Sequence, residues 1–119
     1  MELKTEFGWI EINGKRFDFD VILYYDGTIY KREKEKSKKL VKENEHTPFS
    51  IFEVEDLFKK DVEVVYIGSG QKGKLPIKED ALEEIKKRVK EIIIDITPKI
   101  LEKIKNDNRK WVALIHVTC

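Results

Sequence analysis

A run of β-branched residues that ends in a cluster of glycines constrains the fold of this chain more than any other feature. Val62–Ile67 reads Val-Glu-Val-Val-Tyr-Ile, which is typical of a buried strand because β-branched and aromatic side chains fit a pleated surface. Glycines at positions 68, 70 and 73 then predict a loop, since glycine adopts backbone conformations that other residues disfavour. The sequence therefore predicts a strand that stops abruptly at an edge of a sheet.

The residues after this unit alternate between helical and strand patterns. From Glu79, apolar residues recur every three or four positions and predict an amphipathic helix. Ile92–Ile94 has no polar alternation and predicts a strand covered on both faces. Thr97-Pro98 is typical of a helix start, with threonine as a cap, and Trp111–Val117 predicts a central strand. This β-α-β-α-β order favours a layered α/β sheet.

The first thirty residues predict an antiparallel meander. Phe7–Ile12 is rich in strand-forming residues and meets Asn13-Gly14, a strong hairpin signal. Alternation over Phe17–Tyr24 predicts one further strand, with Asp18 and Asp20 on one of its faces. Asp26-Gly27 predicts the next turn. Further along, Phe52–Lys60 has the spacing of a short amphipathic helix.

Composition bounds the class of protein. The 119 residues fit a single domain spanning positions 1–119, with 40% hydrophobic and 39% charged side chains. Lysine and glutamate dominate the charges, a bias described for hyperthermophile proteins. The single cysteine, Cys119, excludes an intramolecular disulfide, and no apolar run is long enough to span a bilayer, so we expect a cytoplasmic protein without membrane contact.

Lys31–Lys42 is a basic segment with seven positive and two negative side chains. One interpretation is a solvated strand end with a short helical excursion, because charge runs usually face water. The other is an electrostatic site for nucleic acid or an acidic partner. Aromatic residues that would stack on bases are missing between Tyr30 and Phe49, and the net charge of the chain is only +1, so we expect no nucleic-acid binding.

The glycine loop is the first candidate site. Gly68, Gly70 and Gly73 fit the G-x-G-x-x-G spacing of a dinucleotide loop, but Leu75-Pro76-Ile77 intervenes before the helix. A structural turn, a nucleotide site and a pocket for a small anion all remain open. Ligands in open α/β sheets sit beyond the carboxyl ends of the strands. If the two flanking strands run parallel, the candidate pocket consists of Gly68, Ser69, Gly70, Lys72, Asp95 and Thr97.

Two histidines are further candidates. His46 precedes Thr47-Pro48 and is either an acid or base near neutral pH or a turn residue. His116 and Cys119 are three positions apart on a strand and point to opposite sides, so we expect no cysteine nucleophile. We expect His116 to bond with Thr118 or with backbone groups instead. With two histidines and one cysteine, the sequence indicates no zinc site, and nothing in it indicates a cofactor.

Several short motifs, in order along nearly the whole chain, carry a resemblance to a known family. They are Phe7-Gly8, Asn13-Gly14-Lys15, Asp20-Val21-Ile22, Asp26-Gly27, His46, Ile67-Gly68-Ser69-Gly70, Thr97 and His116-Val117-Thr118-Cys119. The chain resembles the family of small α/β domains that includes an adipogenesis-associated protein and an assembly factor of mitochondrial respiratory complex I. This resemblance implies a three-layer α/β fold with a mixed central sheet. It implies interaction or assembly, with no agreed enzymatic activity.

The sequence and the resemblance together lead to two hypotheses. The first is a binding or assembly domain that acts through a protein partner, without robust catalysis, as a monomer or weak homo-oligomer. The alternative is a domain that binds a small anion, or is weakly catalytic, at the edge around Gly68–Gly73.

Overall fold

The computed structural model describes residues 1–41 and 46–119. Lys42, the last residue of the basic segment, lies outside these ranges. The elements in chain order are β1 (Leu3–Glu6), β2 (Trp9–Ile12), β3 (Lys15–Phe17), β4 (Val21–Tyr24), β5 (Ile29–Lys31), a 3-10 helix (Lys34–Leu40), a second 3-10 helix (Ile51–Leu57), β6 (Val64–Gly68), α1 (Glu79–Arg88), β7 (Glu91–Asp95), α2 (Thr97–Ile104) and β8 (Trp111–Ile115).

The strands form two sheets. β1, β2 and β3 make a small antiparallel sheet, and the large sheet has the order β5-β4-β8-β6-β7. β8 runs parallel to β6, which runs parallel to β7, while β4 is antiparallel to both β5 and β8. The α/β class, the antiparallel start and the mixed central sheet are confirmed. The central position expected for the last strand is also confirmed.

Two apolar clusters place the large sheet in the middle of three layers. On one face, buried residues of α2 and the small sheet pack against the sheet, among them Ile10, Ile100 and Leu101. On the other face lie α1 and the second 3-10 helix, represented by Ile85, Val54 and Leu57. Apolar side chains therefore leave both faces of β8, which explains why all five of its residues are buried.

The single strand expected over Phe17–Tyr24 is wrong. The chain changes sheets here: Phe17 pairs with Ile10 in the small sheet, whereas Val21 pairs with Lys31 and Ile115 in the large one. The prediction that Asp18 and Asp20 share the face of a strand fails with it, because both lie between β3 and β4. Alternation of side chains continues across such a transfer, although the hydrogen-bonded neighbours change.

The N-terminal hairpins differ in one detail from expectation. Phe7 and Gly8 form a turn between β1 and β2 rather than the start of a strand, and Gly8 has a φ of 93°. The turn at Asn13-Gly14 is confirmed, with φ values of 50° and 85°.

The helix expected over Phe52–Lys60 is a 3-10 helix at Ile51–Leu57, and Phe52 N–H donates to Ser50 Oγ at its start.

β7 is an edge strand, and the cover predicted on both of its faces is present only in part: Ile93 packs against one apolar cluster and Ile92 against the other. It pairs with β6 on one side, and Ile94 is 42% exposed. A short apolar run looks the same in a central strand and in an edge strand whose side chains pack against only one or two helices.

Within the described residues, no helix is long and apolar enough to cross a membrane.

Candidate functional site

The parallel pairing of β6 and β7 brings the predicted loop residues together at one edge of the sheet. Ser69 Oγ donates to the carbonyl of Asp95 (3.0 Å), and Gly70 N–H donates to Thr97 Oγ1 (3.0 Å). Thr97 Oγ1 donates in turn to the carbonyl of His116 (2.7 Å). Thr97 is fully buried and does not cap α2, whose N-cap is Ile96. The predicted capping role of Thr97 is therefore wrong: its hydroxyl joins three chain segments instead.

The residues that follow β8 occupy the space in front of the glycine loop. Gln71 N–H donates to the carbonyl of Thr118 (2.7 Å), while Lys72 and Lys74 N–H donate to the main-chain oxygen of Cys119 (3.1 and 2.8 Å). These amides are the groups that a bound phosphate would need. A Cβ on Gly70 would also stand 2.8 Å from His116 Cδ2. The loop is thus filled by the chain itself and does not present open N–H groups.

Beside this filled loop lies a buried network of charged side chains. The side chain of Arg32 is 1% exposed and binds Glu53 through Nε (2.8 Å) and Nη2 (3.0 Å), and Asp20 through Nη1 (2.9 Å). Its Nη2 also donates to the carbonyl of Pro48 (3.0 Å). Ser37 Oγ donates to Glu53 Oε2 (2.6 Å). Every carboxylate of the network therefore has a donor, as buried charges require.

The burial of Arg32 corrects one sequence interpretation. The segment Lys31–Lys42 was expected to be solvated, but Arg32 and Ser37 are buried and hold this segment against the second 3-10 helix. Burial would lower the pKa of Arg32, but the hydrogen bond and charge of Glu53, with Asp20, raise it. The helical excursion is present as the 3-10 helix Lys34–Leu40, whose lysines remain at the surface.

Asp20 connects this network to His116. Its Oδ2 lies 2.8 Å from His116 Nδ1, and its Oδ1 accepts the N–H of Val117 (2.9 Å). Burial would raise the pKa of Asp20, but His116, the N–H of Val117 and Arg32 outweigh that effect and hold it below 3.8. Because an ionised carboxylate only accepts hydrogen bonds, Nδ1 carries a proton. Nε2 of His116 is then left facing Thr118 Oγ1 at 3.2 Å, which confirms the expected contact with Thr118.

A cleft of about 320 Å³ opens above His116 and Asp20. Val117 and Thr118 form one side, where the chain leaves the carboxyl end of β8, and Phe19 forms another. The rim carries three exposed lysines and two acidic residues, namely Lys31, Lys34, Lys38, Asp18 and Glu35. The cleft lies beyond the carboxyl end of β8, where ligands bind in open α/β sheets. It lies at β8 and β4 rather than at β6 and β7, where the sequence predicted a pocket.

His46 lies next to this region. Its ring is perpendicular to that of His116, with centroids 5.9 Å apart and an interplanar angle of 77°. The two histidines are 70 positions apart, so no spacing in the sequence could have joined them. Among the described residues, no group of three or more His, Cys, Asp or Glu side chains is arranged to hold a metal ion.

Sequence reasoning missed Arg32 and Glu53 altogether. Both occur in charge-rich stretches, where a buried residue cannot be told from its solvated neighbours. Asp20 did carry a weak signal, since it stands directly before the buried residues of β4. His116 carried a similar one, directly after β8. Polar residues at the ends of two apolar strands mark the edge of a sheet but not which side chains meet there.

The fold and this edge define the chain as a small α/β domain in which a three-stranded sheet and one helix cover one face of a mixed sheet. No family model and no curated protein matches the sequence. Among solved structures, a conserved hypothetical protein from Pyrococcus horikoshii OT3 matches over 100% of both chains, with 29% identity and a TM-score of 0.88. A protein designated MT938 matches 98% of this chain with 96% of its own, at 23% identity and a TM-score of 0.77.

A third structure, a structural genomics target from Bordetella parapertussis, matches 95% of this chain and 91% of its own. Its identity is 13% and its TM-score 0.52. These similarities show the fold. The names of the three proteins state no activity, ligand or partner.

Proposed function

We propose that this protein is a binding domain whose cleft above His116 takes a small organic anion. The observation that supports this proposal is the combination of an open cleft, buried polar groups on its floor and lysines on its rim. The hydroxyl of Thr118 is a directional donor near the floor, since its single hydrogen can rotate from Nε2 of His116 to an anionic oxygen of the ligand. The ammonium groups of Lys31, Lys34 and Lys38 supply positive charge around it.

The walls of the cleft favour an anion with an apolar body. Phe19 is half-buried in the cleft lining, and Lys31 Nζ lies 4.9 Å from the centroid of its ring. A planar or aliphatic group can pack on Phe19 while a phosphate or carboxylate reaches the lysines. Pockets of about 300–1,000 Å³ are the size that holds small molecules, and this cleft lies at the lower limit. We therefore propose a ligand such as a small phosphate monoester or carboxylate.

A titration of the ¹⁵N-labelled protein with phenyl phosphate tests this proposal. We expect the amide resonances of Phe19, Val117 and Thr118 to shift first, with inorganic phosphate binding more weakly. The double variant Lys34→Gln, Lys38→Gln should weaken binding about tenfold if each lysine contributes a charge-assisted contact. The matched control is Lys86→Gln, Lys87→Gln on α1. Shifts spread evenly over all lysine-rich surfaces, or equal binding by both variants, would overturn the proposal.

A second proposed function is interaction or assembly with a protein partner, as the family resemblance implies. The observation that favours it is a set of exposed apolar side chains, with Phe7 at 59%, Phe52 at 45% and Ile94 at 42% exposure. Single exposed apolar residues are ordinary, but Ile94 lies on the open edge of the large sheet.

The absence of a paired cysteine is compatible with a reducing cytoplasm, which we propose as the compartment.

Affinity capture from native extract, with mass spectrometry of bound proteins, addresses this second function. A specific partner should be retained by the wild type and by Phe52→Lys, and lost with Ile94→Lys, if the sheet edge is the contact. Partners retained equally by all three proteins, or found with none, would contradict an interaction through this edge.

A further inference from the structure

The two edges of the large sheet differ in how they are protected from further pairing. β5 is three residues long, ends in Lys31, and has Lys59 Nζ 4.1 Å from the ring centroid of Tyr30. β7 is five residues long, Glu-Ile-Ile-Ile-Asp, and contains no proline. In the part of the chain that the structure describes, β7 pairs with β6 alone. Short edges and lysines are the usual protection against pairing with another chain, and β7 has neither.

The direction of the main-chain groups of β7 follows from its pairing with β6. Ser69 N–H donates to the carbonyl of Asp95, so this carbonyl points toward β6. Main-chain groups of successive strand residues alternate between the two neighbours. The N–H and C=O groups of Ile92 and Ile94 therefore point away from β6.

We propose that β7 is an interface on which a second copy of this chain docks, antiparallel, with the two-fold axis at Ile93. In this register Ile92 lies opposite Ile94 of the second copy, and Ile94 lies opposite Ile92 of the second copy. The outward N–H and C=O groups of these residues form four main-chain hydrogen bonds. Ile93 meets its own copy as a non-hydrogen-bonded pair. All three isoleucines then pair with isoleucines, which cross-strand packing favours. The inference rests on the proposed interaction function and names its partner.

Charges at the ends of β7 fit the same register. Glu91 is bound to Arg109 (2.8 Å), and Asp95 lies 3.7 Å from Lys103. Pairing about Ile93 places Glu91 opposite the Asp95 of the second copy. Two carboxylates alone would repel, but Arg109 and the second copy's Lys103 accompany them. Each end of the paired strands thus holds Glu91 and Asp95 with the cations of Arg109 and Lys103, and Arg109 also binds Asp107 (2.8 Å).

The size of this contact sets its strength. A five-residue edge buries much less than the roughly 800 Å² per partner of a standard stable interface. The structure therefore points to a reversible dimer that forms at high protein concentration and dissociates on dilution. This expectation separates it from an obligate dimer, whose interface is larger and more apolar.

Sedimentation velocity over a hundredfold range of protein concentration tests the dimer. We expect the wild type to shift from monomer to dimer, and Ile94→Pro to stay monomeric, because proline removes an outward N–H without touching the bonds to β6. Ile51→Pro is the matched control, since Ile51 opens a 3-10 helix after the extended residue Ser50. A wild type that is monomeric throughout, or an Ile94→Pro variant that still dimerises, would overturn the inference.

Disulfide trapping tests the register independently, in a Cys119→Ser background. At a non-hydrogen-bonded pair the Cα atoms lie about 4.5 Å apart, within the range of a disulfide. Ile93→Cys should therefore form a covalent dimer on mild oxidation, whereas Ile94→Cys, although more exposed, should not. Faster trapping of Ile94→Cys would refute the two-fold axis at Ile93. If no dimer forms but capture still finds a partner lost with Ile94→Lys, the interaction function survives and only this inference fails.

Discussion

Arg32 is the residue on which the buried charges depend. It neutralises Asp20 and Glu53, which lie in different parts of the chain and are 9% and 1% exposed at the side chain. We predict that Arg32→Met destabilises the protein by about 3–5 kcal/mol, because two buried carboxylates lose their counter-ion. Chemical denaturation at neutral pH measures the loss.

Arg88 supplies the matched control for Arg32. It pairs with Glu84 and Glu55 near the surface, with 34% of its side chain exposed. Arg88→Met should therefore destabilise the protein much less than Arg32→Met, because surface ion pairs contribute little. Equal losses in the two variants would show that burial of the network carries no special weight.

Tyr66 and Asp107 form a pair that makes stability depend on pH at both extremes. The pKa of Asp107 is lowered from 3.8 to about 2, and the largest cause is its side-chain hydrogen bonding with Arg109. Burial, followed by the hydrogen bond to Asp107, raises the pKa of Tyr66 from 10.0 to about 12. The Asp107 contribution is thus complete above about pH 3.8 and lost toward pH 2. The Tyr66 contribution is complete below pH 10 and lost toward pH 12.

The prediction is that each substitution removes one limb of this profile. Relative to wild type, Asp107→Asn should lose stability above pH 4 but converge with wild type as the pH falls toward 2, where the wild-type carboxylate is protonated too. Tyr66→Phe should converge with wild type as the pH rises toward 12. Urea midpoints measured in steps of one pH unit report both. A constant offset at every pH would contradict the assigned pKa shifts.

At the scale of elements, the glycine loop and the segment after β8 are one packed unit. Gly70 has a φ of 105°, and its α-carbon faces the main chain of Cys119. Gly70→Ala should therefore destabilise by strain and by collision, on the order of 1–3 kcal/mol for the strain alone. Gly27→Ala isolates the strain, because Gly27 has a φ of 90° with nothing within 4 Å of an added Cβ. Thermal and urea unfolding measure the loss of stability in each variant. Equal losses would show that the contact between the new Cβ at position 70 and Cys119 is relieved by a small shift.

The sequence predicts the elements that local interactions determine, and it does not predict those that depend on contacts with distant parts of the chain. α1 was predictable because its stripe and its start at Glu79 are local properties. The parallel pairing of β6 with β7 was predictable from the connecting helix. The break at Asp18–Asp20 depends on distant strands, so the local pattern misjudged it, and the edge position of β7 could not be read from its apolar run. The cleft above His116 could not be read from local patterns for the same reason, because Asp20 and His116 meet across 96 positions.

At the scale of the whole molecule, the basic segment contributes little field for nucleic acid. Lys36 Nζ binds Glu33 (2.8 Å) and Asp56 (3.0 Å), and Lys39 Nζ lies 4.0 Å from the ring centroid of Phe52. Positive charge is thus partly compensated within the protein, whose net charge is +1. Lys31, Lys34 and Lys38 border a cleft of small-molecule size rather than an extended groove.

We predict no tight binding of RNA or DNA at physiological salt. A site of several lysine–phosphate contacts would lose affinity steeply as salt rises, so fluorescence anisotropy at two ionic strengths provides the measurement. The variant Lys36→Glu, Lys38→Glu, Lys39→Glu serves as the comparison. Submicromolar, salt-sensitive binding that this variant abolishes would contradict the prediction.

The position of β8 in the order of the chain has a consequence for how the protein acquires its structure. β8 pairs with β4 on one side and β6 on the other, yet it follows every other strand of the described residues. During synthesis, β4 and β6 therefore lack their common neighbour until residues 111–115 have been made. Pairs such as Ile22 with Leu114 close long loops, which slows folding. We therefore expect the large sheet to be completed late in folding, when β8 inserts between β4 and β6.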